Sequence, residues 1–358
     1  MTDLLRAAAD LVDIPSVSHQ ESALADHVES VLRGAGHLRV DREGDCVVAR
    51  TTLGRPRRLL LAGHLDTVPP FGPGGHRIED DTLWGLGAVD MKGGLAVLLD
   101  LAERAAAPGV DATFVFYPCE EVDRRFNGLG SLMERRPELL SCDAAVLAEP
   151  TGGVVEAGCQ GTLRVELTMA GRRAHTARPW AGVNAVHRLA PVLSVLESYT
   201  SRRVTLDGCE YAEQLQAVGL RAGVANNVVP DEAVVSVNLR FAPDRDVDGA
   251  EAEVRRLLAD SLDPAAGDRL TMVEAVAGAP PALDHPLLAS LVAATGRPPR
   301  AKLGWTDAAT MAAAGVAATN YGPGDPLLAH GADEHVSRTE LTEARDVLGR
   351  VLGLAPTP

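Results

Sequence analysis

The chain has 358 residues and a formal net charge of -15, with 46% hydrophobic and 23% charged residues. That length exceeds what one compact core ordinarily holds, so two domains are expected. An acidic chain repels phosphate backbones and anionic membrane surfaces, which argues against nucleic acid and lipid as partners.

The N-terminus, Met1-Thr2-Asp3-Leu4-Leu5-Arg6, opens directly in a helical pattern. It has no basic stretch ahead of an apolar run, so no secretory signal is expected. No apolar run is long enough to span a bilayer. The cysteines Cys46, Cys119, Cys142, Cys159 and Cys209 are odd in number and form no C-x-x-C pair, as expected of reduced thiols in a cytoplasmic protein. Helical periodicity runs through 3–13 and 21–35, and Ser18 with Glu21 suits a capping box for the second helix. Short continuous apolar runs follow at Leu59-Leu60-Leu61-Ala62, at 112–116 and at Ala144-Ala145-Val146-Leu147. The clearest helix between them is 94–107. Continuous apolar strands alternating with helices predict a mostly parallel sheet with helices on both faces.

The character changes near Gly161. Leu163, Val165, Leu167 and Met169 alternate with polar residues, as in a strand with one wet face. A helix over 183–198, alternating stretches at 214–222 and 233–241, a helix at 248–260 and a strand at 269–275 give the order β-α-β-β-α-β, the ferredoxin-like arrangement. The pattern after residue 283 returns to the first kind, with Gly278-Ala279-Pro280-Pro281 as the return linker. The expected organisation is an α/β catalytic domain from 1–161 and 274–358, interrupted by an inserted α+β domain at 162–273.

Polar groups stand where the apolar strands end. The first strand leads into Gly63-His64-Leu65-Asp66, the second into Cys119-Glu120-Glu121, the third into Ala148-Glu149-Pro150, and a Gly-rich turn carries Asp90 into the central helix. Ligands of open α/β sheets bind at that edge. Histidine and carboxylates together are a zinc-type donor set, and two ions need a shared carboxylate. A late histidine completes the set: His330, with His335 as its competitor. Three ligand carboxylates and one hydroxide balance two divalent ions, whereas the same cluster without metal forces like charges together. The competing reading, an ion-pair network, lacks a matching row of Lys or Arg. Asp66, two residues beyond His64 in extended chain, points the same way and can hold the free ring N–H; the alternative is a turn cap before Pro69-Pro70. Adjacent Glu120 and Glu121 face different ways, so one can bind metal while the other acts as a base. No G-x-S-x-G or phosphate-loop motif is present.

The segments His64-Leu65-Asp66-Thr67-Val68-Pro69, Gly85-x-Gly87-x-x-Asp90-Met91-Lys92-Gly93-Gly94, Glu120-Glu121, Glu149-Pro150, Gly171-x-x-Ala174-His175, Asn226-Asn227-Val228-Val229-Pro230 and His330 run nearly the length of the chain. In that order they resemble the co-catalytic metallopeptidase family that contains succinyl-diaminopimelate desuccinylase, acetylornithine deacetylase, aminoacylase and the glutamate carboxypeptidases. The resemblance implies two zinc ions, replaceable by cobalt. His64 and Glu149 would hold one ion, Glu121 and His330 the other, and Asp90 would bridge them through a cis peptide to Met91. It further implies Glu120 as base, Asp66 as the orienter of His64, and His175 as donor to the tetrahedral oxyanion. The inserted domain would be a lid and homodimerisation domain. Four stretches, 156–162, 173–178, 304–309 and 320–326, resemble most the actinobacterial desuccinylase branch, whose work lies in lysine and diaminopimelate biosynthesis. Its N-acylated amino-acid substrate carries several carboxylates, so Arg178 and Arg240 are candidate clamps, with Asn226, Asn227, Thr306 and Asn320 as further contacts. Cys159-Gln160 stands where better-known proteobacterial members have arginines. A sister amidohydrolase, acting on N-acetylornithine or another N-acyl amino acid or dipeptide, is the alternative, and a non-catalytic binding protein is the rival of a different class.

Overall fold

The computed structural model describes residues 3–356 other than Phe71 and Pro73. The chain divides into two compact units: Met1–Gly158 with Pro281–Arg300 and Thr306–Pro358, and Cys159–Pro280 with Ala301–Trp305.

The first unit is built on an eight-stranded sheet. Its centre is parallel: Asp111–Tyr117, Arg58–His64, Ala144–Leu147 and Ala317–Asn320 lie side by side in that order. The flanks are antiparallel, with Cys46–Arg50 and Arg39–Glu43 on one side and Glu156–Ala157 on the other. Alternate strand residues serve opposite faces. Leu59, Leu61, Phe114, Phe116, Ala144 and Val146 join one apolar cluster with the helices Leu4–Val12, Ser22–Gly34, Gly93–Arg104, Pro286–Thr295 and Arg338–Leu352. Leu60, Ala62, Val115 and Leu147 are as deeply buried but lie outside that cluster. Against their face pack the short helices Gly128–Arg135 and Ala308–Ala313. Burial on both faces explains why these strands read as unbroken apolar runs. A small sheet of Arg77–Glu79, Thr82–Trp84 and His335–Ser337 completes the unit.

One expectation about helix starts is corrected. Helix Ser22–Gly34 has Glu21 at its N-cap with no side-chain capping bond. The Ser18 hydroxyl donates instead to Asp66 Oδ2 at 2.8 Å, and Glu21 Oε1 accepts the Cys119 amide at 3.1 Å. Both side chains are claimed by the turns at the sheet edge, so no capping box forms.

The second unit is a four-stranded antiparallel sheet in the spatial order Gln214–Ala222, Glu232–Phe241, Gly161–Ala170, Arg269–Val276. With the helices Ala185–Arg188, Ala190–Glu197 and Val247–Leu258 it is ferredoxin-like. Its core gathers Leu163, Val165, Leu167 and Met169 with Val235, Val237, Leu239 and Phe241. The predicted helix over 183–198 is broken into two by Pro191, which supplies no N–H. A hairpin, Arg203–Leu206 with Cys209–Ala212, is added to the expected pattern.

Candidate metal centre

Parallel strands send all their carboxyl ends to one edge, and there the donors gather. His64 is the last residue of its strand; Glu120 and Glu121 follow Tyr117, and Glu149 follows Leu147. Asp90 comes from the Gly-rich turn before helix Gly93–Arg104, and the Asp90–Met91 peptide is cis. That helix starts hard against the third strand: a Cβ on Gly94 would lie 2.5 Å from the Ala148 carbonyl oxygen, so only glycine permits the approach. His330 arrives from a late loop in the left-handed conformation, with φ 61°.

The donors form three groups whose ligand atoms lie within 4.8 Å of one another: His64, Asp90 and Glu149; Asp90, Glu121 and His330; and His64, Glu120 and Glu121. Asp90 is common to the first two. Its Oδ1 is 2.9 Å from His64 Nε2, while its Oδ2 is 3.5 Å from His330 Nε2. His330 Nε2 is also 2.7 Å from Glu121 Oε1. One carboxylate thus turns its two oxygens toward two imidazoles. Nitrogen and oxygen donors without thiolate, arranged around a shared carboxylate, fit two divalent cations.

The electrostatics agree. Burial works against the His64 cation, but the Asp66 and Asp90 carboxylates outweigh it and raise its pKa well above the usual value. The hydrogen bond to Asp90 is the largest influence on His330, whose pKa is raised to about 9. Burial is first, and Glu149 next, in raising Glu120 well above the ordinary carboxyl range. Burial also raises Glu121, with Asp90 adding to it. Without cations the cluster must hold protons to relieve its own repulsion; divalent charge supplies the same relief and reverses the proton affinities.

Asp66 takes a wider part than expected. His64 Nδ1 is 3.0 Å from the Asp66 backbone carbonyl and 3.5 Å from its carboxylate. The carboxylate instead accepts the amides of Glu120 (2.9 Å) and Glu121 (3.0 Å) and the Ser18 hydroxyl. It fixes the turn that carries Glu120 and Glu121.

The sequence profile of the family described as Peptidase family M20/M25/M40 matches residues 60–353. The chain belongs to this peptidase family. It is thereby a hydrolase of a metal-dependent family, and its described residues include candidate metal-binding groups. The M20 chain is 51% identical, over 98% of its length and 98% of the other's, to a Mycobacterium tuberculosis H37Rv protein provisionally named succinyl-diaminopimelate desuccinylase DapE. It is 43% identical, over 96% and 94%, to the succinyl-diaminopimelate desuccinylase of Corynebacterium glutamicum. Among solved structures, a tripeptidase from Staphylococcus aureus superposes with TM-score 0.81 at 20% identity, covering 98% of this chain and 97% of that one. An M20 family metallo-carboxypeptidase from Sulfolobus solfataricus gives 0.78 at 15%, with 99% of each chain covered. At those identities the structures speak for the M20 fold alone.

The remaining candidates of this M20 protein fall in both units. In the first, Thr306 and Asn320 are buried together, with the Thr306 hydroxyl donating to Asn320 Oδ1 at 2.7 Å. Asn320 donates to the carbonyls of Glu156 (3.1 Å) and Gly158 (2.8 Å) and is 0% exposed. These bonds fix the Asn320 side chain at the sheet edge. In the second unit His175, Arg178, Asn226 and Asn227 are exposed and adjacent: His175 bridges Val228, and the Thr176 amide donates to the Asn227 carbonyl at 3.0 Å. Arg240 lies half-buried on strand Glu232–Phe241, and burial pushes its pKa down.

The sequence marks Ser18 and Glu21 only as a helix cap, and Glu334 not at all. Glu334 is buried and accepts the amides of Val89 (2.9 Å) and Asp90 (3.0 Å). A lone acidic residue four positions after His330 carries no signal that distinguishes it from a solvated glutamate.

Proposed function

We propose that the protein is a two-zinc amidohydrolase that cleaves N-succinyl-L,L-2,6-diaminopimelate to succinate and L,L-diaminopimelate. The observation that carries the chemistry is Asp90 standing between two ligand sets, with Glu120 beside them. The support for the substrate is the identity, over nearly the full length, to relatives bearing that name. His64, Glu149 and Asp90 would hold one ion, and Glu121, His330 and Asp90 the other. The pair would supply Lewis acidity and lower the pKa of a water toward ~7. Glu120 takes the proton of the attacking water and passes it to the leaving amine, contributing on the order of 10²–10⁴ in rate. Asp66 orients the turn on which Glu120 stands.

In this reading residues 162–273 serve as lid and dimerisation domain. The Ala177 amide donates to His175 Nδ1 at 3.0 Å, which leaves the proton of the neutral ring on Nε2 as a donor for the oxyanion. Arg178 and Arg240 are the carboxylate clamps, aided by Asn226, Asn227 and Thr306. The edge strand Gln214–Ala222 leaves Val218 59% and Leu220 56% exposed, as a strand awaiting a second copy of the chain would. No helix among the described residues is long and apolar enough to cross a membrane. None of the five cysteines is in a disulfide, which supports a cytoplasmic setting.

A sister activity on another N-acyl amino acid is the second reading. Cys159 and Gln160 are buried, and Gln160 Nε2 donates to the Ala212 carbonyl at 3.1 Å, so this pair does not stand in for an exposed arginine clamp. The deciding experiment is hydrolysis of N-succinyl-L,L-diaminopimelate and N-acetylornithine by purified protein with and without zinc. Zinc-dependent cleavage of the succinyl compound alone is expected; cleavage of the acetyl compound alone overturns the substrate and keeps the chemistry.

A further inference from the structure

Asp90 and His330 belong to segments far apart in sequence, yet the spacing between them decides whether one carboxylate can serve two ions. Glu334 is where those segments meet. Its side chain is 2% exposed and its Oε1 accepts two consecutive amides of the ligand turn, Val89 N at 2.9 Å and Asp90 N at 3.0 Å, across 245 and 244 positions of sequence. Its backbone carbonyl accepts the amide of Gly85, where the same turn begins, at 3.1 Å. Its own amide donates to the Gly331 carbonyl at 3.3 Å, closing the loop that follows His330. The next residues, His335–Ser337, pair antiparallel with Thr82–Trp84, the strand that leads into the Asp90 turn. Lys92, on the same turn, donates to the Ile14 carbonyl at 2.7 Å.

We infer that Glu334 is a positioning residue for the bridging ligand: it fixes the backbone at Asp90 and locks that turn to the His330 loop. The inference rests on the two-metal reading above. Glu334 touches neither ion; it acts by holding the amide of Asp90, so the side-chain oxygens of Asp90 stay directed at both ligand sets. Outer groups that orient ligands change metal affinity or activity by about 10–100-fold when removed.

The test compares Glu334→Ala and Glu334→Gln with the parent protein. Metal-free protein is titrated with zinc against a competing chelator, and kcat and KM are measured at saturating zinc. Glutamine keeps a carbonyl oxygen that can accept both amides, so it should stay within about threefold of the parent in zinc affinity and kcat. Alanine leaves the two amides without that acceptor; zinc affinity and kcat should each fall about 10–100-fold, with KM nearly unchanged. Alanine protein that melts earlier but binds zinc and turns over like the parent overturns the inference, since a purely structural prop would give that pattern. If the alanine variant does not fold, Glu334→Asp, one methylene shorter, carries the test with the same readouts: weakened zinc binding supports the inference and parental binding overturns it. Parent protein that takes up fewer than two ions defeats the two-metal reading, and the inference with it.

Discussion

His64 Nδ1 stands 3.0 Å from the backbone carbonyl of Asp66, nearer than the 3.5 Å to that residue's carboxylate. The main chain therefore suffices to hold a proton on Nδ1 and leave Nε2 facing the metal centre. The carboxylate is left to secure the amides of Glu120 and Glu121. In Asp66→Asn one of those amides must face an NH₂ group. We expect kcat to fall about 10–100-fold with KM little changed and two metal ions retained. Steady-state kinetics beside metal analysis of the same sample checks this, and loss of an ion would count against it.

Glu120→Gln removes the proposed base while keeping its shape. Turnover should drop on the order of 10²–10⁴-fold with metal content unaltered. Near-normal turnover in a protein with both ions bound would sink the assignment of Glu120.

Stripping the metal should abolish activity and lower the melting temperature, because Asp90, Glu120, Glu121 and Glu149 then face one another without compensating charge. Readded zinc should restore both. In His330→Ala the set Asp90, Glu121 and His330 loses a member while His64, Asp90 and Glu149 remain intact. Bound zinc per chain should then fall to about one, as two-ion sites need both ligand sets. Elemental analysis after dialysis gives the ratio.

Far from the metals, at the opposite end of its strand, Asp111 is buried and accepts from the Thr51 hydroxyl (2.7 Å) and the amides of Leu53 (3.0 Å) and Arg55 (2.8 Å). Burial opposes its charge, but these bonds prevail and lower its pKa. A lowered carboxyl pKa means the unfolded chain binds more protons in the window between the two values, so stability there rises with pH. The contribution is whole above the unfolded value of about 3.9 and is lost as pH falls through the folded one. Asp111→Asn should cost about 1–3 kcal/mol at pH 7, from denaturant midpoints. The gap from the parent should narrow as pH drops below about 4; a gap independent of pH would contradict the assignment.

Much of this is legible in the sequence. Runs such as Leu59–Ala62 and Ala144–Leu147 are buried on both faces, so apolar continuity alone marks them as interior parallel strands, and the polar residue that ends each run is then at the functional edge. The alternation of Leu163, Val165, Leu167 and Met169 marked a sheet with one covered face in the same way. What was missed is tertiary. Ser18 looked like a helix cap because the local spacing suits one, and its hydroxyl went to Asp66, distant in sequence. Asn320 donates to the carbonyls of Glu156 and Gly158, partners that no local spacing announces. The hairpin at Asp207-Gly208, both at positive φ (45° and 78°), did carry a local signal: Asp-Gly between alternating strands is the strongest short-range mark of such a turn.

Strand Ala317–Asn320 lies between Ala144–Leu147 and Glu156–Ala157 in space, yet follows the whole of the second unit's main segment in sequence. During synthesis the ferredoxin-like insert is therefore complete while the larger sheet still lacks an interior strand and the candidate ligand His330. A nascent chain would expose a gap beside Ala144–Leu147 and hold His64, Asp90, Glu121 and Glu149 as an incomplete acidic set. Maturation of the metal centre is in this sense a late event of translation, and a ribosome stalled before residue 317 would carry a finished insert on an unfinished enzyme.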